Sequence, residues 1–454
     1  MEKILINTLT FLTLSACSLS TNYIEPSFET PKTWEGSNVE HGAYADQSWW
    51  ETFGDTTLNE LIEQALLKNT DITAGMQVVA QSRAAVKLAG GNLWPTLDIN
   101  AGISQASTNS NNGDSFTNER LSAGLSASYE LDLFGGNKEV KNAAQANLLS
   151  SVYAQEALKL VIMGDVAYNY FTLLNLNERI EIADKNLLSR LDVLNIIQVR
   201  VDEGVDSYLE LAQQKTLVAN AQAARSKIVE LRINTKNALA ILLGKAPQGF
   251  NVHKKELTAI NIPNIPVVQP SDLLKRRPDI KAAEANLKAA NANVGVARSA
   301  LYPSISLGVD DIFSAASFST LSTNVLTLAA NITAPIFNGG QLNGKLDQAT
   351  AKELELIENY RGIVYSAFQD VENALAAVKS AQEREEFLQT AMEESLRAYT
   401  LSKELYDAGS IDFSTLLDTQ ISLLSAEDNY AEARLSKLTS SVDLFKAMGG
   451  SWKI

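Results

Sequence analysis

The sequence predicts a mainly α-helical chain that also carries a transmembrane β-barrel segment, with a unit of strand hairpin and long helix present twice. Three observations carry this. Residues 94–148 open Trp94-Pro95-Thr96-Leu97, alternate apolar and polar residues through two runs, pass Leu131-Asp132-Leu133-Phe134-Gly135-Gly136-Asn137, and then become helical. The same order returns at Tyr302-Pro303-Ser304-Ile305 and Ala334-Pro335-Ile336-Phe337-Asn338-Gly339-Gly340. The spacing is nearly constant: Trp94 to Tyr302 and Asp71 to Asp279 are each 208 residues, and Gly204 to Gly409 is 205. Constancy across strands, helices and turns marks a duplication.

The 454 residues, 45% hydrophobic and 20% charged, suffice for several domains. A net charge of -15 argues against a nucleic-acid partner, which needs clustered Lys and Arg. Met1-Glu2-Lys3 precedes an apolar run from Ile4 to Leu14, the length of a signal-peptide core and too short to span a membrane. It ends Leu14-Ser15-Ala16-Cys17, and Cys17 is the sole cysteine. This tetrad resembles the lipobox of bacterial lipoproteins. The resemblance implies cleavage before Cys17 and a covalent lipid there, S-diacylglycerol on the thiol and an N-acyl chain on the new amino group. Ser18 in the next position then leans towards the outer membrane. An ordinary signal peptide with an incidental cysteine is the rival reading. No other cofactor is expected.

The chain divides into a signal peptide (1–16), an extended leader (17–57), a first repeat (58–244), a linker (245–270), a second repeat (271–449) and a short tail (450–454). Within the leader Trp34, His41, Trp49 and Trp50 show no period, so it packs on something else. Leu58, Leu61, Ile62, Ala65 and Leu66 share a helical face; Lys68-Asn69-Thr70-Asp71-Ile72 breaks that helix, with Thr70 or Asp71 as the N-cap of the next, which runs to about Ala89. Leu97, Ile99, Ala101 and Ile103 then alternate with polar residues. A polar loop follows, and the second run alternates over thirteen residues, Leu121 to Leu133. Each run is about the 9–11 residues that a tilted strand needs to cross a bilayer. A soluble sandwich would alternate too, but it would need partner strands. These hairpins stand alone between helices, and their polar face is small and hydrophilic.

From Asn137 to about Arg200 only Gly164 could interrupt a helix. The acidic tip Val201-Asp202-Glu203-Gly204-Val205-Asp206 turns it into a return helix ending at Leu243-Gly244, before a linker with Pro247, Pro263, Pro266 and Pro270. In the second repeat Ile305, Leu307 and Val309 alternate with Ser306, Gly308 and Asp310. A fourth strand covers about 322–334. A helix from Gln341 to about Leu405 carries Ile357, Tyr360, Val364, Phe368, Val371, Leu375 and Val378 at coiled-coil intervals, and ends in the tip Tyr406-Asp407-Ala408-Gly409-Ser410-Ile411-Asp412. The glycine pairs 135–136 and 339–340 mark exits from strand to helix that use positive φ. Four strands cannot close a barrel, since an open edge in lipid leaves backbone groups unpaired; two chains would give eight strands and three would give twelve.

Further matching residues are Trp49-Trp50-x-x-Phe53-x-Asp55, Arg277-Pro278-Asp279-Ile280, Leu416-Leu417-Asp418-x-Gln420 and Phe445-Lys446-Ala447-Met448-Gly449-Gly450-x-Trp452. With the lipobox they give essentially the whole chain a resemblance to the TolC-like outer-membrane efflux family, in its NodT-type lipoprotein branch that serves RND-type tripartite pumps. The resemblance implies a homotrimer, with a twelve-stranded β-barrel in the outer-membrane lipid and a twelve-helix α-barrel in the periplasm. It implies two partners, a periplasmic adaptor protein and an inner-membrane RND-type transporter. An outer-membrane duct for type I protein secretion keeps the architecture with another cargo, and a periplasmic coiled-coil scaffold would lack strands.

No catalytic or metal motif is present. His41 and His253 stand in linker-like segments without ligand partners at helical spacing, and no nucleophile elbow or phosphate loop occurs. Function therefore rests on selective passage. Copies of one carboxylate around a narrow point make a cation-favouring ring. By the family's motif the constricting acid is Asp418, with Ser414 one turn before it where relatives often carry Leu, and Gln213 as its counterpart in the first repeat. Gly204, Val205, Asp206, Gly409, Ser410 and Asp412 form tips that, by resemblance, meet the helical hairpins of the adaptor.

Overall fold

The computed structural model describes residues 23–27, 29–35, 48–109, 115–252, 257–263, 265, 267, 269–315 and 323–450. Cys17, His41, His253 and Trp452 lie outside them. The elements run α1 (Thr56–Lys68), α2 (Thr70–Gly91), β1 (Thr96–Asn109), β2 (Ser115–Leu131), α3 (Gly136–Asp202), α4 (Tyr208–Leu242), α5 (Pro270–Arg276), α6 (Pro278–Ser299), β3 (Ser304–Ala315), β4 (Thr323–Thr333), α7 (Gln341–Asp407) and α8 (Phe413–Ala447). The duplication extends to lengths. α2 and α6 each have 22 residues, α3 and α7 each 67, and α4 and α8 each 35.

Two compact units divide the chain. The first comprises Val78–Tyr153 and Ala282–Gly362 with residues up to Phe28, and it holds the sheet. Its strands pair antiparallel in the order β1-β2-β3-β4, leaving β1 and β4 as edges. Register puts Leu97, Ile99, Ala101 and Ile103 opposite Ala127, Leu125, Ala123 and Leu121, so the apolar positions of neighbouring strands share one face. That face is open: Ile99 is 81% exposed and Leu328 74%. The other face is polar and laced by side chains, Thr96 with Ser128 and the Asn100 amide donating to Ser126. The pattern has exceptions: Gln105 opposite Glu119 and Asn324 opposite Phe313 stand at apolar-face positions, and Ile312 opposite Val325 at polar-face ones. Asp311 lies opposite Leu125 and Leu326, on the apolar face.

Where strand hands over to helix, Phe134 stacks on Tyr302 at 4.9 Å between ring centres. Both Gly339 and Gly340 have positive φ, but in the first repeat only Gly135 does. Gly136 is needed for a different reason: a Cβ there would come within 2.5 Å of the Ser299 hydroxyl.

The second unit comprises Glu29–Gln77, Ala154–Lys281 and Ile363–Ile454. Its core is aromatic where the leader enters it. Trp49 stacks on Phe445 at 5.3 Å, Phe53 meets Phe171 at 5.3 Å, and both are essentially buried. Asp55 ties the leader down twice. One carboxylate oxygen caps α1 at Thr57 and Leu58, and the other accepts the Tyr170 hydroxyl at 3.0 Å. Burial, reinforced by that carboxylate, pushes the Tyr170 phenol well above its usual range.

The N-cap of α2 is neither Thr70 nor Asp71 but Asn69. Its side-chain oxygen accepts from Asp71 and Ile72 while its amide donates to the Leu242 carbonyl at 2.9 Å. Asparagine wins because the site needs an acceptor and a donor at once. In the second repeat Arg277 occupies this place. It reaches the Ala447 carbonyl at 3.2 Å and the carboxylates of Asp279 and Asp370 at 2.8 and 2.9 Å.

The long helices cohere through α3. Arg179 forks onto Asp428 of α8 at 2.6 and 2.8 Å and also reaches Glu432, and the Asn175 amide donates to the Ala431 carbonyl at 2.7 Å. Asp184 pairs with Arg225 of α4. On α7 the expected seam is buried at Tyr360, Val364, Phe368 and Val371.

Candidate gate at the paired helix tips

Each tip is a helix end closed by a left-handed glycine. Gly204 has φ 77° and Gly409 φ 70°, and a Cβ at either would meet nothing within 4 Å. These glycines therefore serve the turn and not a close approach. Behind them the backbone closes in matched fashion: the Val205 N–H donates to the Arg200 carbonyl and the Ser410 N–H to the Leu405 carbonyl, both at 2.8 Å. The return helices start differently. Ser207 and Glu210 form a capping box on α4. On α8 the Asp412 carboxylate takes the Thr415 N–H at 2.9 Å together with the hydroxyls of Thr415 and Ser414, and these bonds hold it below the usual carboxylate range.

Val193, Ile197 and Val201 of α3, Leu211 of α4, Tyr406 of α7 and Phe413 and Leu416 of α8 make one buried cluster. Both tips thus share a core. On its edge Asp206 of the first tip forms an ion pair with Arg200 at 3.0 Å and accepts from the Tyr406 hydroxyl of the second tip at 3.4 Å, and the Arg200 guanidinium lies 5.2 Å from the centre of the Tyr406 ring. Burial first, and Asp206 next, raise the Tyr406 pKa. Arg200 and Tyr406 are the residues that sequence reasoning missed as a site. Their only signal was position, in the last turn of each long helix.

The expected gate residues sit on the outside of this core. Asp418, Ser414 and Gln213 are all exposed, within the first two turns of their return helices. Asp418 enters no ion pair among the described residues. Of the expected tip residues, Val205, Ser410 and Asp412 are exposed, whereas Asp206 is largely committed to Arg200 and Tyr406. Among the described residues no group of three potential metal ligands comes together.

Comparison with known proteins accounts for this architecture. The family described as "Outer membrane efflux protein" matches residues 61–245 and 269–450. Over 454 residues the chain is 36% identical to the pyoverdine export outer membrane protein OpmQ of Pseudomonas putida, covering 97% of this chain and 96% of the relative. It is 31% identical to the toluene efflux pump outer membrane protein TtgI of Pseudomonas putida, covering 98% and 97%. Among solved structures, the open state of the MtrE outer membrane channel of Neisseria gonorrhoeae superposes with a TM-score of 0.86 at 31% identity, over 96% of this chain and 98% of that one. The chain belongs to the outer membrane efflux protein family.

Proposed function

We propose that this chain is the exit duct of a tripartite efflux pump, a homotrimer in the outer membrane that passes small toxic compounds outward. A periplasmic adaptor and an inner-membrane RND-type transporter feed it, and the chain performs no chemistry on its cargo. One observation carries the reading. The sheet has two unpaired edges and one open apolar face, with Leu97, Ile99, Leu328 and Ile332 each more than 70% exposed. In lipid such a sheet is stable only when closed by further copies, and its polar face then lines the pore. The relatives' names supply the task, export of pyoverdine or toluene. Nothing specific favours the protein-secretion alternative, and the four paired strands contradict the scaffold reading.

In this reading the tip cluster is the periplasmic gate, Asp418 a ring of three carboxylates at its mouth, and the exposed tips the adaptor's landing surface. Cys17 carries the lipid anchor. The test is complementation of a host lacking its own outer-membrane duct. The chain, expressed with its adaptor and transporter, restores export of a fluorescent pump substrate, and the transporter and adaptor alone do not. Restoration without the chain would contradict the duct role. Mass spectrometry of the mature N-terminus checks the anchor, with the diacylglycerol and acyl mass present in the wild type and absent in Cys17→Ser.

A further inference from the structure

Between the tip cluster and the Arg179 ion pairs, α3 carries a third arginine that has no counter-charge among the described residues. Arg190 is only 3% exposed, and its Nε has no hydrogen-bond partner. Arg179 stands eleven residues away, three helical turns on nearly the same side of α3, and is held by Asp428 and Glu432. Arg200, ten residues on the other way, also has an unbonded Nε, but that nitrogen lies 3.0 Å from the Asp206 carboxylate. The groups that the neighbouring helices bring to Ser189 and to the Arg190 backbone are neutral. From α4, the Gln214 amide donates to the Arg190 carbonyl at 2.8 Å, leaving the Gln214 side-chain oxygen unpartnered. From α7 comes the Tyr399 hydroxyl, bonded to Ser189, and from α8 the Gln420 amide, 3.4 Å from the same serine. Among the described residues Tyr399 is the one titratable group that acts on Arg190, and burial depresses the arginine's pKa.

A guanidinium does not escape this cost by losing its proton. Burying it unpaired is strongly unfavourable, and an apolar side chain of similar volume in its place is generally better tolerated. We propose that Arg190 is a destabilising element built into the tip. It raises the free energy of the four-helix packing described here, and so biases the α3–α4 and α7–α8 pairs towards parting, when the guanidinium gains water. The inference rests on the reading of the tip as a gate. A duct that must seal at rest yet yield to its adaptor gains from such a bias, because less differential binding energy then shifts the equilibrium.

The experiment uses the full-length trimer in planar lipid bilayers and in thermal unfolding. Arg190→Met keeps the length and removes the charge; it should lower the open probability about tenfold or more and raise the unfolding temperature by about 2–4 °C or more. Gln214→Glu supplies the absent carboxylate and should shift both readouts the same way. In the double variant the new acid loses its cation, so the gain should disappear. A fall in unfolding temperature for Arg190→Met, or an unchanged open probability, overturns the proposal, the former meaning that a neighbouring subunit already pairs the arginine. Asp206→Ala/Tyr406→Phe is the control for the gate itself. If that variant opens the channel and Arg190→Met does nothing, only the Arg190 proposal fails. If neither changes conductance, the gate reading fails.

Discussion

The two repeats fold alike and solve the same problems with different chemistry. α3 and α7 both begin 72 residues before their return helices, which start at Tyr208 and Phe413. Yet where Asn69 holds the end of α4 through one neutral hydrogen bond, Arg277 holds the end of α8 and adds two carboxylates. The tips diverge in the same manner. Arg200 and Asp206 belong to the first, and the second has Leu405 and Ile411 at the matching places. Gln213 faces outward in one and Asp418 in the other. Backbone geometry has been kept, and charge has been redistributed. In a ring of several copies, such a chain presents two kinds of hairpin in alternation, and only one kind carries the acid.

The largest expected effect breaks the comparison at the helix ends. Arg277→Ala strands Asp279, Asp370 and the Ala447 carbonyl in a partly buried site, and should cost about 2–4 kcal/mol in chemical unfolding. Asn69→Ala removes a cap and one hydrogen bond and should cost only about 1–2 kcal/mol. Equal losses would mean that the added carboxylates contribute nothing. Next comes the shared tip. Asp206→Ala removes the acceptor that joins both repeats, and should raise leakage of large hydrophilic solutes through the resting channel severalfold at normal trimer levels.

A smaller effect separates Asp418 from Gln213. Asp418→Ala should lower cation over anion selectivity, and Gln213→Ala should leave it unchanged; identical behaviour would remove the asymmetry from the gate. The smallest concerns Asp412. Its pKa is depressed in the fold, so its capping contribution is present above the ordinary carboxylate pKa and is lost as pH falls through the lower, folded value. Amide exchange in the first turn of α8 should therefore accelerate on acidification below about pH 4, while the Ser207-capped start of α4 changes less. The barrel carries a comparison of its own. Asp311 sets a carboxylate beside Leu125 on the apolar face, where the first repeat sets Ile99 on the other side of the same Leu125, and Asp311→Leu should stabilise the trimer in lipid by about 1 kcal/mol, read as a higher dissociation temperature.

Much of this was legible in the chain. Period-two alternation from Leu121 specifies a strand and its faces, although the strand ends at Leu131 and Leu133 already lies in the turn, and 67 residues without proline specify α3. The repeat spacing carries one half's reading over to the other. What escaped was whatever depends on which helices meet. Asn69 was hidden as a cap because its second bond goes to Leu242, 173 residues away. The union of Arg200, Asp206 and Tyr406 needs both tips side by side, and nothing local announces it. Asp311 was passed over because the alternation was followed only to Asp310.

The most direct test of the account is the mass of the detergent-solubilised particle, taken from the outer-membrane fraction with any N-terminal modification intact. Each chain of 49.3 kDa contributes four strands, and closure of twelve predicts a particle of about three chain masses that also conducts ions in a bilayer. A stable monomer of that mass, with its sheet edges free and no conductance, would contradict the account.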